Sequence, residues 1–80
     1  MSKPVRCFET IVPFLDFDCD GHEEELNGHV EIRVYEDKTF DFDLLAVDGY
    51  EARYHNKKDL SKWSYKINRI LENDWKGKYI

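Results

Sequence analysis

Apolar and polar residues alternate through the first two thirds of this chain, and the period changes in the last third. From Val5 to Asp20 the chain reads as one extended strand. Ile11, Leu15, Phe17 and Cys19 share one parity, and Val12, Phe14, Asp16, Asp18 and Asp20 share the other. The first parity is assigned to the core, with Pro13 marking an edge strand or a bulge. His29–Tyr35 alternates cleanly, with Val30, Ile32 and Val34 inward and Glu31, Arg33 and Tyr35 outward. Thr39–Val47 repeats the pattern with Phe40, Phe42, Leu44 and Ala46 inward, and Tyr50, Ala52 and Tyr54 suggest a short fourth strand. Leu60, Trp63, Ile67, Ile70, Leu71 and Trp75 then follow helical spacing and form one apolar stripe. Asn56 fits the N-cap with Asp59 three residues on, and Gly77 fits the stop.

Register arithmetic tests the sheet, because facing residues of an antiparallel pair share a side. Setting Val34 against Phe40 places Ile32 against Phe42 and Val30 against Leu44, with Glu36-Asp37-Lys38 as the turn. Setting Ala46 against Tyr50 makes Val47-Asp48-Gly49 a three-residue loop. A two-residue Asp48-Gly49 turn would put Glu51 and Arg53 on the core side, so the longer loop is preferred. The outer face then carries Glu31, Asp43 and Arg53 in one row and Arg33, Asp41 and His55 in the next.

The expected fold is α+β: a three- to four-stranded antiparallel β-meander with one C-terminal α-helix packed on one face, residues 1–80 forming a single domain. The expected core is Ile11, Leu15, Phe17, Val30, Ile32, Val34, Phe40, Phe42, Leu44, Tyr54, Leu60, Trp63, Ile67, Ile70 and Leu71. The first or fourth strand would be an exposed edge, so the chain is expected to be a monomer or an edge-strand homodimer.

Composition sharpens this picture. With 80 residues the chain has room for one core, and 41% hydrophobic with 15% aromatic residues excludes a disordered chain. No apolar run approaches a membrane span, and the N-terminus has no signal-peptide core. A cytoplasmic protein with Cys7 and Cys19 reduced is expected, although spacing alone leaves a Cys7–Cys19 disulfide open. The net charge of −5 hides a split. Residues 1–52 carry 14 acids and 4 bases, net −10, whereas residues 53–80 carry 8 bases and 3 acids, net +5. Such a split can hold two halves together or present a field to a partner.

Five readings compete for these residues. Asp16-Phe17-Asp18-Cys19-Asp20-Gly21 matches the first half of an EF-hand calcium loop, but Asn27 stands where the bidentate Glu belongs and no helix enters. Of the zinc-ligand candidates Cys7, Cys19, His22, His29 and His55, Cys19 and His22 offer one edge of a site without a second close pair. They are also the one local nucleophile–base pair, with no nucleophile elbow, phosphate loop or H-E-x-x-H around them. No catalytic activity, metal or other cofactor is therefore expected. Asp16 through Glu25 holds six carboxylates and no base, and Asn27-Gly28 is a second turn signal, so residues 20–28 are expected to form an acidic loop or the tip of a protruding hairpin. On the helix, Lys57, Lys58, Lys62, Lys66, Arg69 and Lys76 lie mostly off the apolar stripe, as a phosphate-contacting face would.

In general profile the chain resembles the small, acidic, single-domain proteins encoded by phages and mobile elements. Many of these, anti-CRISPR and restriction-inhibiting proteins among them, occupy a basic surface of a host enzyme. The resemblance is one of size and charge, with no residue match, so it transfers no functional residues. It implies a non-enzymatic interaction protein that binds and inhibits a basic, nucleic-acid-handling protein. The partner-binding candidates are Asp16, Asp18, Asp20, Glu23, Glu24, Glu25, Glu31 and Asp43. The alternatives are a nucleic-acid-binding module using Lys58, Lys62, Lys66 and Arg69, or a small structural subunit of a larger assembly.

Overall fold

A computed structural model describes residues 3–80. Four antiparallel strands, β1 (Arg6–Phe17), β2 (Glu23–Val34), β3 (Phe40–Val47) and β4 (Tyr50–Glu51), pair in chain order, and α1 (Lys57–Ile70) follows them. This is the expected α+β meander with a C-terminal helix. A 3-10 turn, Ala52–Tyr54, links β4 to α1, and a single π turn, Leu71–Trp75, continues the helix.

The helix begins as its sequence requires. The Asn56 side chain accepts the Asp59 amide hydrogen at 2.8 Å and returns a bond to the Asp59 carboxylate at 2.9 Å. One of the backbone N–H groups a helix start leaves over is thus satisfied locally, and the second bond ties the two side chains to each other. Gly77, at φ 88°, ends the π turn in the left-handed conformation that suits glycine.

The β2–β3 register is the expected one, Val34 to Phe40, Ile32 to Phe42 and Val30 to Leu44. Its turn is also Glu36-Asp37-Lys38, closed by bonds between Tyr35 and Thr39 and between Lys38 and Tyr35, with Lys38 at φ 68°. Beyond Leu44 the expectation fails, because a bulge at Leu45 shifts the pairing to His29 with Ala46. The extra residue reverses the parity of the rest of the strand, so Val47 is buried and Ala46 is not. The β3–β4 connection is the two-residue Asp48-Gly49 turn, with both residues at positive φ (51° and 83°), and not the three-residue loop. The objection to that turn disappears because the chain leaves the sheet after Glu51. Arg53 pairs with Glu51 at 3.0 Å, Tyr54 is exposed, and Arg53 and His55 join no outer row.

The larger correction concerns β1. Val12 and Phe14 are in the core, while Ile11, Leu15 and Phe17 are 51, 50 and 58% exposed. The cause is the register, in which Val12 faces Gly28, Phe14 faces Leu26 and Phe8 faces Ile32. Since β2 buries its even positions, β1 must do the same. Asn27-Gly28 is not a turn but part of β2. Gly28 lies under the helix, where a Cβ would stand 2.6 Å from Ile67 Cδ1. The core is completed by Leu26, Val30, Ile32, Val34, Val47, Trp63, Ile67 and Leu71, with Phe40, Phe42, Leu44, Leu60 and Ile70 partly buried against it.

Candidate functional site

The first hairpin positions most of the candidate residues. Its turn is built from Asp18-Cys19-Asp20-Gly21-His22. Asp18 donates its N–H to the His22 carbonyl, Gly21 donates to the Asp18 carbonyl, and Gly21 takes φ 81°. This is a type I turn closed by a left-handed glycine, a common three-residue hairpin loop. The Asp18 carboxylate accepts from the Asp20 and His22 amides, both at 2.9 Å. Residues 20–22 therefore belong to the tip of a hairpin, whereas residues 23–28, expected in the loop or tip, are paired in β2 because the turn is complete at His22. The resemblance to a calcium loop is a by-product of this turn chemistry, because Asp16 points away from the turn. Asp18, Asp20 and His22 do place ligand atoms within 4.8 Å of one another, all exposed.

Asp16 is not a surface acid. It is 5% exposed and accepts the Trp63 indole N–H at 2.8 Å, with Lys62 Nζ at 3.1 Å and Lys66 Nζ at 3.9 Å. Burial pushes its pKa up, but the Trp63 and Phe17 N–H groups and Lys62 outweigh it, and the carboxyl ends below its ordinary value. Asp16 thus leaves the partner-binding set and becomes the anchor between β1 and α1. Of the helix candidates, Lys62 and Lys66 are drawn to this anchor, whereas Lys58 and Arg69 remain exposed.

The remaining acids divide by strand parity. Glu24 shares the inner parity with Asp16 but lies beyond the covered core and is exposed, whereas Glu23 and Glu25 lie on the outer face. Further along that face, Glu9, Glu31 and Asp43 form one row and Cys7, Arg33 and Asp41 the next. Three carboxylates in a row repel one another. Arg33 offsets this by reaching Glu31 at 3.1 Å, Asp43 at 2.8 Å and Asp41 at 2.5 Å, which raises its own pKa. His29 lies 3.2 Å from Glu9. Tyr35 donates to Asp41 at 2.7 Å, and this bond, with Arg33, holds the Asp41 carboxyl below its ordinary value against partial desolvation.

The face is therefore uneven. Glu31 and Asp43 belong to an ion lattice centred on Arg33. Among the described residues, no cation lies within ion-pair distance of Asp20, Glu23, Glu24 or Glu25.

Both cysteines are free and exposed, Cys7 near the start of β1 and Cys19 in the turn at its far end. Eleven residues lie between them, and the ten of these in β1 alone span about 33 Å, far beyond the reach of a disulfide. Partial desolvation and Glu31 raise the Cys7 pKa, which disfavours the reactive thiolate.

Alternation alone assigns Ile11, Leu15 and Phe17 to the core and so misses them as surface residues. With Pro13 they form an apolar row along the outer face of β1, where Leu15 faces Glu25 and Phe17 faces Glu23. No protein family matches the chain, and comparison with curated proteins and with solved structures yields no match. No helix among the described residues is long and apolar enough to cross a membrane.

Proposed function

We propose that this protein is a non-enzymatic interaction module that docks the acidic outer face and tip of its first hairpin onto a basic surface of a protein partner. The partner class that fits is a nucleic-acid-handling protein, whose phosphate-binding surface would be covered and inhibited. The observation that carries this reading is the group Asp20, Glu23, Glu24 and Glu25, which has no ion-pair partner among the described residues and sits at the end of a paired hairpin. Such a field speeds encounter with a basic surface and repels nucleic acid itself. The nucleic-acid-binding alternative loses ground, because Lys62 and Lys66 are engaged with Asp16.

The test is affinity purification of the tagged chain from nuclease-treated lysate of its source cell, eluted with a salt gradient. One stoichiometric protein should be retained, and Glu23→Lys/Glu24→Lys/Glu25→Lys should lose it. Melting should hardly change, since surface substitutions usually shift stability by less than about 0.5 kcal/mol. Full retention by the triple variant would refute the proposal.

A further inference from the structure

We infer that the outer face of β1 is a mixed docking strip for a protein segment whose apolar side chains are flanked by lysine or arginine. The inference rests on the proposed function and adds that its contact has an apolar anchor as well as a charged rim. Ile11, Pro13, Leu15 and Phe17 recur at every second position and lie in one row about 20 Å long. Three of these side chains are at least half exposed. Scattered surface apolar residues need no explanation, but a contiguous row rimmed by polar groups marks an interaction surface.

The charge around the row decides what covers it. Glu25 and Glu23 stand directly across from Leu15 and Phe17, and Glu9 precedes Ile11 on the same face. Two basic side chains lie beside the row: His29, across from Ile11 and 3.2 Å from Glu9, and Lys66, which lies 5.9 Å from the Phe17 ring and is already held by the Leu15 carbonyl and Asp16. A second copy of the chain would bring the same acidic rim against this one. An anionic membrane or a nucleic acid would meet the same repulsion. A protein segment that pairs apolar with basic side chains meets both halves of the surface.

The partner covers the face of β1 and does not extend the sheet from its edge. The Asp18–His22 bond sets the alternation, so the even positions of β1 bond to β2 and the odd positions turn their backbone groups to the free edge. At that edge Pro13 has no N–H to offer, and Lys66 Nζ donates to the Leu15 carbonyl at 3.1 Å. Both features block strand addition beside the apolar row.

The experiment titrates the full chain with three synthetic peptides of equal length: a Leu/Lys peptide, the same peptide with Ser replacing every Leu, and a Leu/Glu peptide. Backbone amide shifts locate the site. The Leu/Lys peptide should bind at least about tenfold more tightly than the Ser/Lys peptide, a difference of about 1.4 kcal/mol. Shifts should centre on residues 11–17 and 23–25, and the Leu/Glu peptide should not bind. Leu15→Ser/Phe17→Ser should erase the Leu/Lys advantage while leaving Ser/Lys affinity and melting temperature unchanged. Equal affinity for the two lysine peptides would overturn the apolar anchor and leave the charge-based function standing. So would a Leu/Lys advantage that survives in the double variant, or shifts on α1. Failure of both lysine peptides to bind would overturn the two together.

Discussion

Replacing Asp16 with alanine removes the acceptor of the Trp63 indole N–H and the counter-charge of Lys62. Trp63 is itself in the core, so its N–H would be left without a partner. An unsatisfied buried donor costs about 1–3 kcal/mol. The Lys62 side chain is 46% exposed, so that pair is screened and adds no more than about 0.5 kcal/mol. The expected loss is about 1–3.5 kcal/mol, or about 4–28 °C in melting temperature for a domain of this size. Asp16→Asn keeps an acceptor in place and should lose only about 1 kcal/mol. The pH dependence separates the charge from the hydrogen bond. The folded Asp16 pKa is lowered, so its contribution is fully present above the unfolded carboxylate value of about 3.9 and is lost as pH falls through the folded value. Urea melts at pH 7 and below pH 4 should therefore show the gap between the parent and Asp16→Asn closing in acid. A loss below about 0.5 kcal/mol for Asp16→Ala at pH 7 would refute the anchor role.

Three further substitutions probe the frame that holds the hairpin. Gly28→Ala should cost about 1–3 kcal/mol in urea unfolding, because the new methyl group meets buried Ile67 Cδ1 at 2.6 Å. Lys38→Gly should raise stability by about 0.5–1 kcal/mol, since relief of the left-handed strain at φ 68° exceeds the added freedom of the unfolded chain. Arg33→Met should cost about 1–2 kcal/mol at low salt by leaving Glu31, Asp41 and Asp43 unneutralised. Because that penalty is mutual repulsion at an exposed face, it should shrink in 1 M salt, where screening acts over about 3 Å.

The fold was legible where one parity was clearly apolar. Val30, Ile32 and Val34 against Phe40, Phe42 and Leu44 gave the central register, and the Leu60/Trp63/Ile67/Leu71 stripe gave the helix. β1 misled because both of its parities are apolar, and an aspartate on the correct one argued against burying it. That aspartate is tolerated because Trp63, 47 positions away, supplies a donor that no local pattern displays. The turn did carry a usable signal. Placing Gly21 as the left-handed third residue of a three-residue loop pairs Phe14 with Leu26 and Val12 with Gly28, and so fixes the buried face. The Leu45 bulge had no comparable signal, because Leu44-Leu45-Ala46-Val47 is apolar throughout and accommodates either parity. The candidate site was legible as charge and not as surface. Six carboxylates were visible in the sequence, but only the register separates the buried Asp16 from Glu23 and Glu25, or brings Leu15 and Phe17 out beside them.

The docking surface is tested most directly by site-specific photo-crosslinking in the source cell, with a photoreactive residue at position 25 on the outer hairpin or at position 69 on the exposed helix face. The account predicts a single protein adduct from position 25 and none from position 69. An adduct from position 69 alone, or a nucleic-acid adduct at either site, would contradict it.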